Sequence, residues 1–149
     1  MDQSELFRKF VDFTAAVHQI KHKLTRDIKL DSVTPVQYGI LEYVAVSQPV
    51  TLSEISDCQQ LSMPNASREL KKLSELGLCE KFAAADDRRK QYVRLSAKGQ
   101  AMMDEAFGRV EVRFKERIRG ASDEELEEIG RALELLRSKV FDPGRRPDG

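Results

Sequence analysis

Five consecutive charged residues, Asp86 to Lys90, place two carboxylates beside three cations. Tyr92, Val93 and Leu95 follow after Gln91 and favour an extended strand. Cations at the turn between two strands are suited to binding a polyanion such as DNA. Arginine pairs with phosphate and can enter a narrow, negatively charged minor groove. A carboxylate is repelled by DNA, so we expect Asp87 to orient an arginine, either Arg68 or Arg89.

An amphipathic segment from Ser62 to Gly77 offers a second set of groups. One face, expected to be buried, comprises Ala66, Leu70, Leu73 and Gly77. The opposite face and its flanks carry Pro64, Asn65, Ser67, Arg68, Lys71, Lys72 and Glu75. Asparagine pairs with adenine, arginine pairs with guanine, and lysine mostly contacts phosphate. We therefore expect Asn65 and Arg68 to read bases and the two lysines to contact the DNA backbone, with a merely solvated helix as the alternative.

Other reactive residues form no recognisable site. There is no Gly-rich phosphate loop, metal-ligand cluster or nucleophile–base pair, so no enzymatic activity, catalytic residue or cofactor is expected. His18 and His22 have a spacing that can bind a metal, but further ligands are not evident and no metal site is expected. Cys58 and Cys79 are interpreted as structural. A metal- or redox-responsive protein remains an alternative.

The composition describes one globular domain whose charge is unevenly distributed. The chain has 149 residues, is 40% hydrophobic and 34% charged, and has no net formal charge. Residues 61–100 nevertheless carry nine Lys and Arg against five Asp and Glu, a net of +4, and the flanking regions carry −2 each. The beginning lacks the pattern of a secretory signal, and no apolar window is long enough to span a membrane. We expect a cytoplasmic protein with no membrane partner.

Capping residues and apolar periodicity predict the elements that position these groups. A first helix covers residues 4 to about 29. A second begins at the cap Thr34 with Pro35, and its predicted buried stripe comprises Val36, Ile40, Leu41 and Val44. Caps at Thr51 and Ser62 begin a helix-turn-helix, and a strand–turn–strand follows it. A helix from Ala97 to about Arg119 and another capped by Ser122 complete the order.

Taken together, these segments resemble the multiple antibiotic resistance regulator (MarR) family over residues 5 to 141. The segments "TLSEISDCQQLSMPNASRELKKLSELGL" and "DDRRKQYVRLSAKGQ" carry most of the likeness. The family's Asp-x-Arg wing appears as Asp87-Arg88-Arg89, and its Leu-Thr/Ser-x-x-Gly run as Leu95, Ser96 and Gly99. Further matches are Thr34-Pro35 with Gln37, Ser67-Arg68 and Gly77-Leu78. Ser67 replaces the usual Thr, and Pro64 replaces a more typical small polar residue.

The resemblance implies a mainly α fold with a small β-hairpin wing. Residues 33–97 would form the winged helix-turn-helix, residues 1–32 and 98–141 the helices of a homodimer, and residues 142–149 a disordered tail. The implied partner is double-stranded DNA with a pseudo-palindromic operator, in which Arg89 enters the minor groove and Asp87 holds the wing. The expected DNA-binding residues are Thr34, Ser62, Pro64, Asn65, Ser67, Arg68, Lys71, Lys72, Asp87, Arg88, Arg89 and Lys90.

The family also implies a repressor that a small-molecule effector releases from DNA. Residues expected to face an effector crevice are His18, His22, Tyr38 and Tyr43. Two further readings remain open: activation in place of repression, and a winged helix that binds proteins through the same surface.

Overall fold

The structure is a computed structural model that describes residues 1–28, 30, 32–142 and 144. Within these residues the chain forms six helices and one antiparallel two-stranded sheet, in the expected order. The helices are α1 (Gln3–Thr25), α2 (Pro35–Ser47), α3 (Leu52–Gln59), α4 (Met63–Glu75), α5 (Ala97–Arg117) and α6 (Asp123–Lys139). The strands are β1 (Cys79–Ala83) and β2 (Gln91–Leu95). The predicted fold class, mainly α with a hairpin wing, is confirmed.

The predicted N-caps begin four of the helices. Thr34, Thr51, Ser62 and Ser122 each accept a hydrogen bond from the backbone N–H three residues later. Thr34 and Thr51 form full capping boxes, because Gln37 and Glu54 accept a bond in return from the cap's own N–H. Each cap satisfies donors that a helix start would otherwise leave unpaired, and so fixes where the helix begins.

The hydrophobic core joins α2, α3, α4 and the sheet to the first half of α5. Its fully buried members include Ile40, Leu41, Val44, Ile55, Ala66, Leu70, Leu73 and Met103. Two predicted core positions are wrong. Val36 is 44% exposed, and the buried position beside it is the polar Gln37. Gly77 is exposed because α4 has already ended, and it turns the chain with a positive φ of 75°.

The wing packs its inward side chains on this core. The strands pair from Cys79↔Leu95 to Ala83↔Gln91, so Cys79, Val93 and Leu95 point inward. Val93 also exchanges two backbone hydrogen bonds with Val50, at 2.6 and 3.1 Å. The bridge attaches the wing to the loop before α3 and so fixes it against the helix-turn-helix.

The chain divides into two compact units, residues 1–113 and residues 114–149. In the first unit α1 has no buried residue and ends at Thr25, earlier than predicted. Arg113 donates to the carbonyl oxygens of Leu24 (2.9 Å) and Arg26 (2.5 Å), which closes that helix end. In the second unit α6 has no buried residue either.

The expectations on membrane spans, the C-terminal tail and the division into regions have different outcomes. No helix in the described part of the chain is long and apolar enough to cross a membrane. The tail expected over 142–149 lies outside the described residues, apart from residues 142 and 144. The division into a reading region at 33–97 and a helical dimerisation region remains a prediction.

Candidate nucleic-acid interface

The turn between α3 and α4 sets the orientation of the second helix. Gln60 adopts a left-handed conformation with φ 53°, which breaks α3. Ser56 then fixes the turn, because its hydroxyl donates to the Leu61 carbonyl (2.5 Å) and its own carbonyl accepts from Leu61 N (3.0 Å). The inner face of α4 is fully buried at Ala66, Leu70 and Leu73. Its opposite face is thereby held toward solvent, as the second helix of a helix-turn-helix requires.

Polar side chains on that outer face contact one another. Arg68 donates to Asn65 Oδ1, so the two residues proposed as base readers form one unit. Lys72 Nζ lies 3.6 Å from Glu69 Oε1, whereas Lys71 has no ion-pair partner within the described residues. Both lysines, like Pro64, are exposed, and Ser67 is half-buried. The hydroxyl of Ser62 is engaged as the cap of α4.

At the wing tip, the structure distinguishes the two candidate partners of Asp87. Asp87 Oδ1 accepts from the backbone N–H of Arg89 (2.9 Å) and lies 3.6 Å from Arg89 Nε. Arg68 is instead held by Asn65, so Arg89 is the arginine that Asp87 orients. The Arg89 side chain is 95% exposed, and Arg88 and Lys90 are exposed as well. The tip therefore presents three cations to solvent while the carboxylate shapes the loop.

Aromatic residues brace the outer side of the hairpin, a feature that the sequence reasoning missed. Phe82 and Tyr92 are cross-strand partners with ring centroids 5.9 Å apart. The Arg94 guanidinium lies 4.5 Å from the centre of the Phe82 ring and 3.2 Å from Glu80. Such stacking stiffens a two-stranded ribbon that would be marginal by itself. The available signal was the alternation of these residues with the buried ones along both strands.

A cavity of about 460 Å³ lies where α1 ends and α2 begins. The described residues that line it are Thr25, Ile28, Leu30, Val33, Thr34, Pro35 and Tyr38. The Tyr38 hydroxyl is buried and has no hydrogen-bond partner among the described residues. Burial, together with the nearby Glu42 carboxylate, raises the pKa of that phenol. Thr34, predicted to touch DNA, lines this cavity as well as capping α2.

The other predicted effector residues lie elsewhere. His18 and His22 are exposed on α1. Tyr43 is half-buried, and its pKa is raised first by burial and then by the charge of Glu54. Tyr38 is thus the one of the four that the described cavity wall contains.

The two cysteines differ in their exposure. Cys58 is exposed, whereas Cys79 is buried in the first wing strand, and burial raises the pKa of its thiol to about 11. Among the described residues, no group of three or more His, Cys, Asp or Glu side chains could hold a metal ion.

A helix-turn-helix followed by a two-stranded, basic wing defines the chain as a winged helix-turn-helix protein. Residues 31–90, from just before α2 to the wing tip, match the model of the MarR family. This part of the chain is therefore similar to the MarR family, and one solved structure that shares the fold is described as a MarR family transcription regulator. The match agrees with the expectation that the chain is not an enzyme.

Solved structures share the fold over nearly the whole chain. A MarR family protein from Bacillus stearothermophilus has a TM-score of 0.68 and 19% identity, covering 95% of this chain and 99% of that one. S. aureus MepR bound to ethidium bromide has a TM-score of 0.61 and 22% identity, covering 93% and 96%. Streptococcus pneumoniae FabT in complex with DNA has a TM-score of 0.58 and 19% identity, covering 95% and 99%. A comparison of the chain with curated protein sequences found no match.

Proposed function

We propose that the chain is a dimeric, sequence-specific DNA-binding repressor that a small-molecule effector releases from its operator. The observation that carries DNA binding is the wing tip, where Asp87 orients an arginine whose side chain is 95% exposed. An arginine so oriented, on a stiffened hairpin, suits the narrow, negative minor groove. The FabT structure, which has the same fold, is a complex with DNA.

The outer face of α4 supplies the major-groove contacts in this proposal. Asn65 and Arg68 lie in the first half of the helix, where base-reading residues sit in helix-turn-helix proteins. Lys71 and Lys72 follow them and are suited to phosphate. Of the net charge of +4 in residues 61–100, +3 lies on α4 and the hairpin, the two elements that would touch the duplex, and Lys98 in α5 supplies the rest.

Exposed apolar side chains support a homodimer. On α1 they include Leu6, Phe7, Val11, Phe13 and Val17. The second unit exposes Leu126, Ile129, Leu133, Val140 and Phe141. Large apolar side chains exposed in such number are typical of protein interfaces, and a second copy with two-fold symmetry would cover them. Light scattering after size-exclusion chromatography should give twice the 17.0 kDa of one chain, and a mass of one chain would refute the dimer.

The cavity between α1 and α2 supports an effector that is mostly apolar and forms one hydrogen bond with the Tyr38 hydroxyl, which can donate or accept. Its volume of about 460 Å³ suits a small organic molecule, and Ile28, Leu30 and Val33 give it apolar walls. Ethidium bromide, bound in the MepR structure, is the natural first probe. We expect it to raise the unfolding temperature and to release duplex, and Tyr38→Phe should weaken both effects. Unchanged stability and unchanged duplex affinity would remove ethidium from the proposal.

Selection of bound duplexes from a random pool tests the DNA-binding proposal. A dimer of winged helices should enrich inverted repeats whose half-sites are about 10 base pairs apart, one turn of DNA. Enrichment of single half-sites would contradict the dimeric reading. Recovery of no sequence, together with salt-independent binding, would favour a winged helix that binds protein instead.

A further inference from the structure

Gln37 is a buried polar residue that connects two helices. Only 5% of it is exposed, and its amide serves both α2 and α4. The amide oxygen accepts from Thr34 N (3.0 Å) and so caps α2, while Nε2 donates to Glu69 Oε2 (3.1 Å). Buried amides of this kind keep their geometry, because losing either bond would leave a polar group unpaired.

Glu69 passes this constraint to the outer face of α4. Its side chain is 23% exposed, and its second carboxylate oxygen lies 3.6 Å from Lys72 Nζ. One oxygen is therefore held by Gln37, and the other attracts an ammonium that would otherwise be available to phosphate. Lys71, one residue earlier, has no such carboxylate within the described part of the chain.

We propose that Glu69 holds Lys72 back from the DNA backbone, and that Gln37 is the positioning residue that keeps Glu69 there. The strength of duplex binding is thereby tied to the first turn of α2, the same turn whose Thr34 and Tyr38 line the cavity. This inference rests on the proposed function, because it assumes that α4 faces a duplex.

A general electrostatic effect would produce part of the same result. Removing any carboxylate from a surface that faces DNA raises affinity, whichever lysine it touches. The specific prediction is that the gain in duplex affinity depends on Lys72 and not on the other lysine of α4. Lys71 provides the matched control, because it lies on the same helix and lacks the ion pair.

The first experiment measures duplex affinity as a function of salt for Glu69→Gln, alone and combined with Lys72→Met or Lys71→Met. The amide oxygen of Glu69→Gln still accepts from Gln37, so α4 keeps its position while Lys72 is released. We expect about two- to fivefold tighter binding and a steeper salt dependence. The gain should vanish with Lys72→Met and persist with Lys71→Met. An equal gain with Lys72→Met, or no gain at all, would overturn the proposal.

The second experiment exchanges the two side chains. Gln37→Glu alone places two carboxylates face to face and should lower the unfolding temperature by about 4–8 °C. Adding Glu69→Gln restores a donor–acceptor pair of reversed direction and leaves the net charge of the chain unchanged. The double variant should regain most of the lost stability yet retain the tighter, Lys72-dependent DNA binding. Losses that simply add would show that Gln37 does not act through Glu69.

The experiments distinguish a failure of DNA binding from a failure of the Glu69–Lys72 contact. If the unaltered chain binds no duplex, the proposed function fails and the claim about Lys72 falls with it. If it binds duplex with a steep salt dependence but Glu69→Gln acts equally in the Lys72→Met background, only the inference about Glu69 and Gln37 fails.

Discussion

Gly99, in the first turn of α5, lies against the backbone of Leu78 between α4 and β1, and its replacement by alanine should destabilise the reading unit. A Cβ at this position would lie 2.1 Å from the Leu78 carbonyl oxygen, 0.9 Å inside the 3.0 Å that real Cβ atoms keep. The obstacle is backbone, and Ser96 holds it in place. Ser96 N donates to the same Leu78 oxygen (3.0 Å), and Ser96 Oγ donates to the Gly77 carbonyl (2.6 Å) and accepts from Gly99 N (2.9 Å).

The size of the effect follows from these contacts. To admit the methyl group, α5 must move away from Leu78, which breaks the Ser96–Leu78 hydrogen bond in a buried place. Overpacking contributes about 1–3 kcal/mol, and a buried polar group left unpaired adds about 1–3 kcal/mol. We expect Gly99→Ala to lose about 2–6 kcal/mol of folding free energy, which is about 4–24 °C in unfolding temperature at about 2–4 °C per kcal/mol for a chain of this length.

Gly108→Ala is the matched control on the same helix. A Cβ at Gly108 meets nothing within 4 Å, so alanine there should be neutral or stabilise by up to about 1 kcal/mol. Thermal unfolding followed by circular dichroism, at one protein concentration, compares both variants with the unaltered chain. An unfolding temperature for Gly99→Ala at or above that of the unaltered chain would refute the reasoning.

Three further predictions concern single side chains. Tyr38→Phe removes a buried hydroxyl that lacks a partner among the described residues, so thermal stability should be unchanged or rise; a loss above about 1 kcal/mol would mean that the hydroxyl is bonded. Iodoacetamide at about pH 8 should alkylate Cys58 and spare Cys79 until the chain unfolds, because Cys79 is buried and its pKa is raised to about 11; equal labelling by mass spectrometry would contradict this. Asn65 Oδ1 already accepts a hydrogen bond from Arg68, so the groups that this pair offers to a base are donors. Guanine presents acceptors in the major groove, so selected duplexes should carry guanine opposite the pair. Adenine at that position, or a base preference that Arg68→Ala leaves unchanged, would contradict this.

The element order was predictable because local chemistry determines it. Thr34, Thr51 and Ser62 each cap a helix through a residue three positions away, and such short-range patterns survive in a single sequence. The buried face of α4 was predictable for the same reason, as far as Leu73. The predicted buried face was wrong at Gly77 because α4 ends before that residue. The periodicity of apolar residues does not show where a helix ends.

Contacts between distant segments could not be read from periodicity. Val36 has the apolar character of a core residue, yet Gln37 occupies the buried position because Glu69, distant in sequence, supplies its partner. The choice between Arg68 and Arg89 as the partner of Asp87 was open for the same reason. The sequence contained both arginines, but the fold places Asn65 beside one of them and the wing turn beside the other.

The most direct measurement is the affinity for a selected duplex as a function of salt, for the unaltered chain, Arg89→Ala and Arg89→Lys. The Arg89 side chain is 95% exposed, so neither substitution should change the free energy of unfolding by more than about 1 kcal/mol. If the wing arginine reads the minor groove, the affinity of the unaltered chain falls steeply with salt. Arg89→Ala should then weaken binding by about 1–3 kcal/mol per protomer, and Arg89→Lys should restore only part of the loss. Affinity that is independent of salt, or equal for all three chains, would contradict DNA reading by the wing.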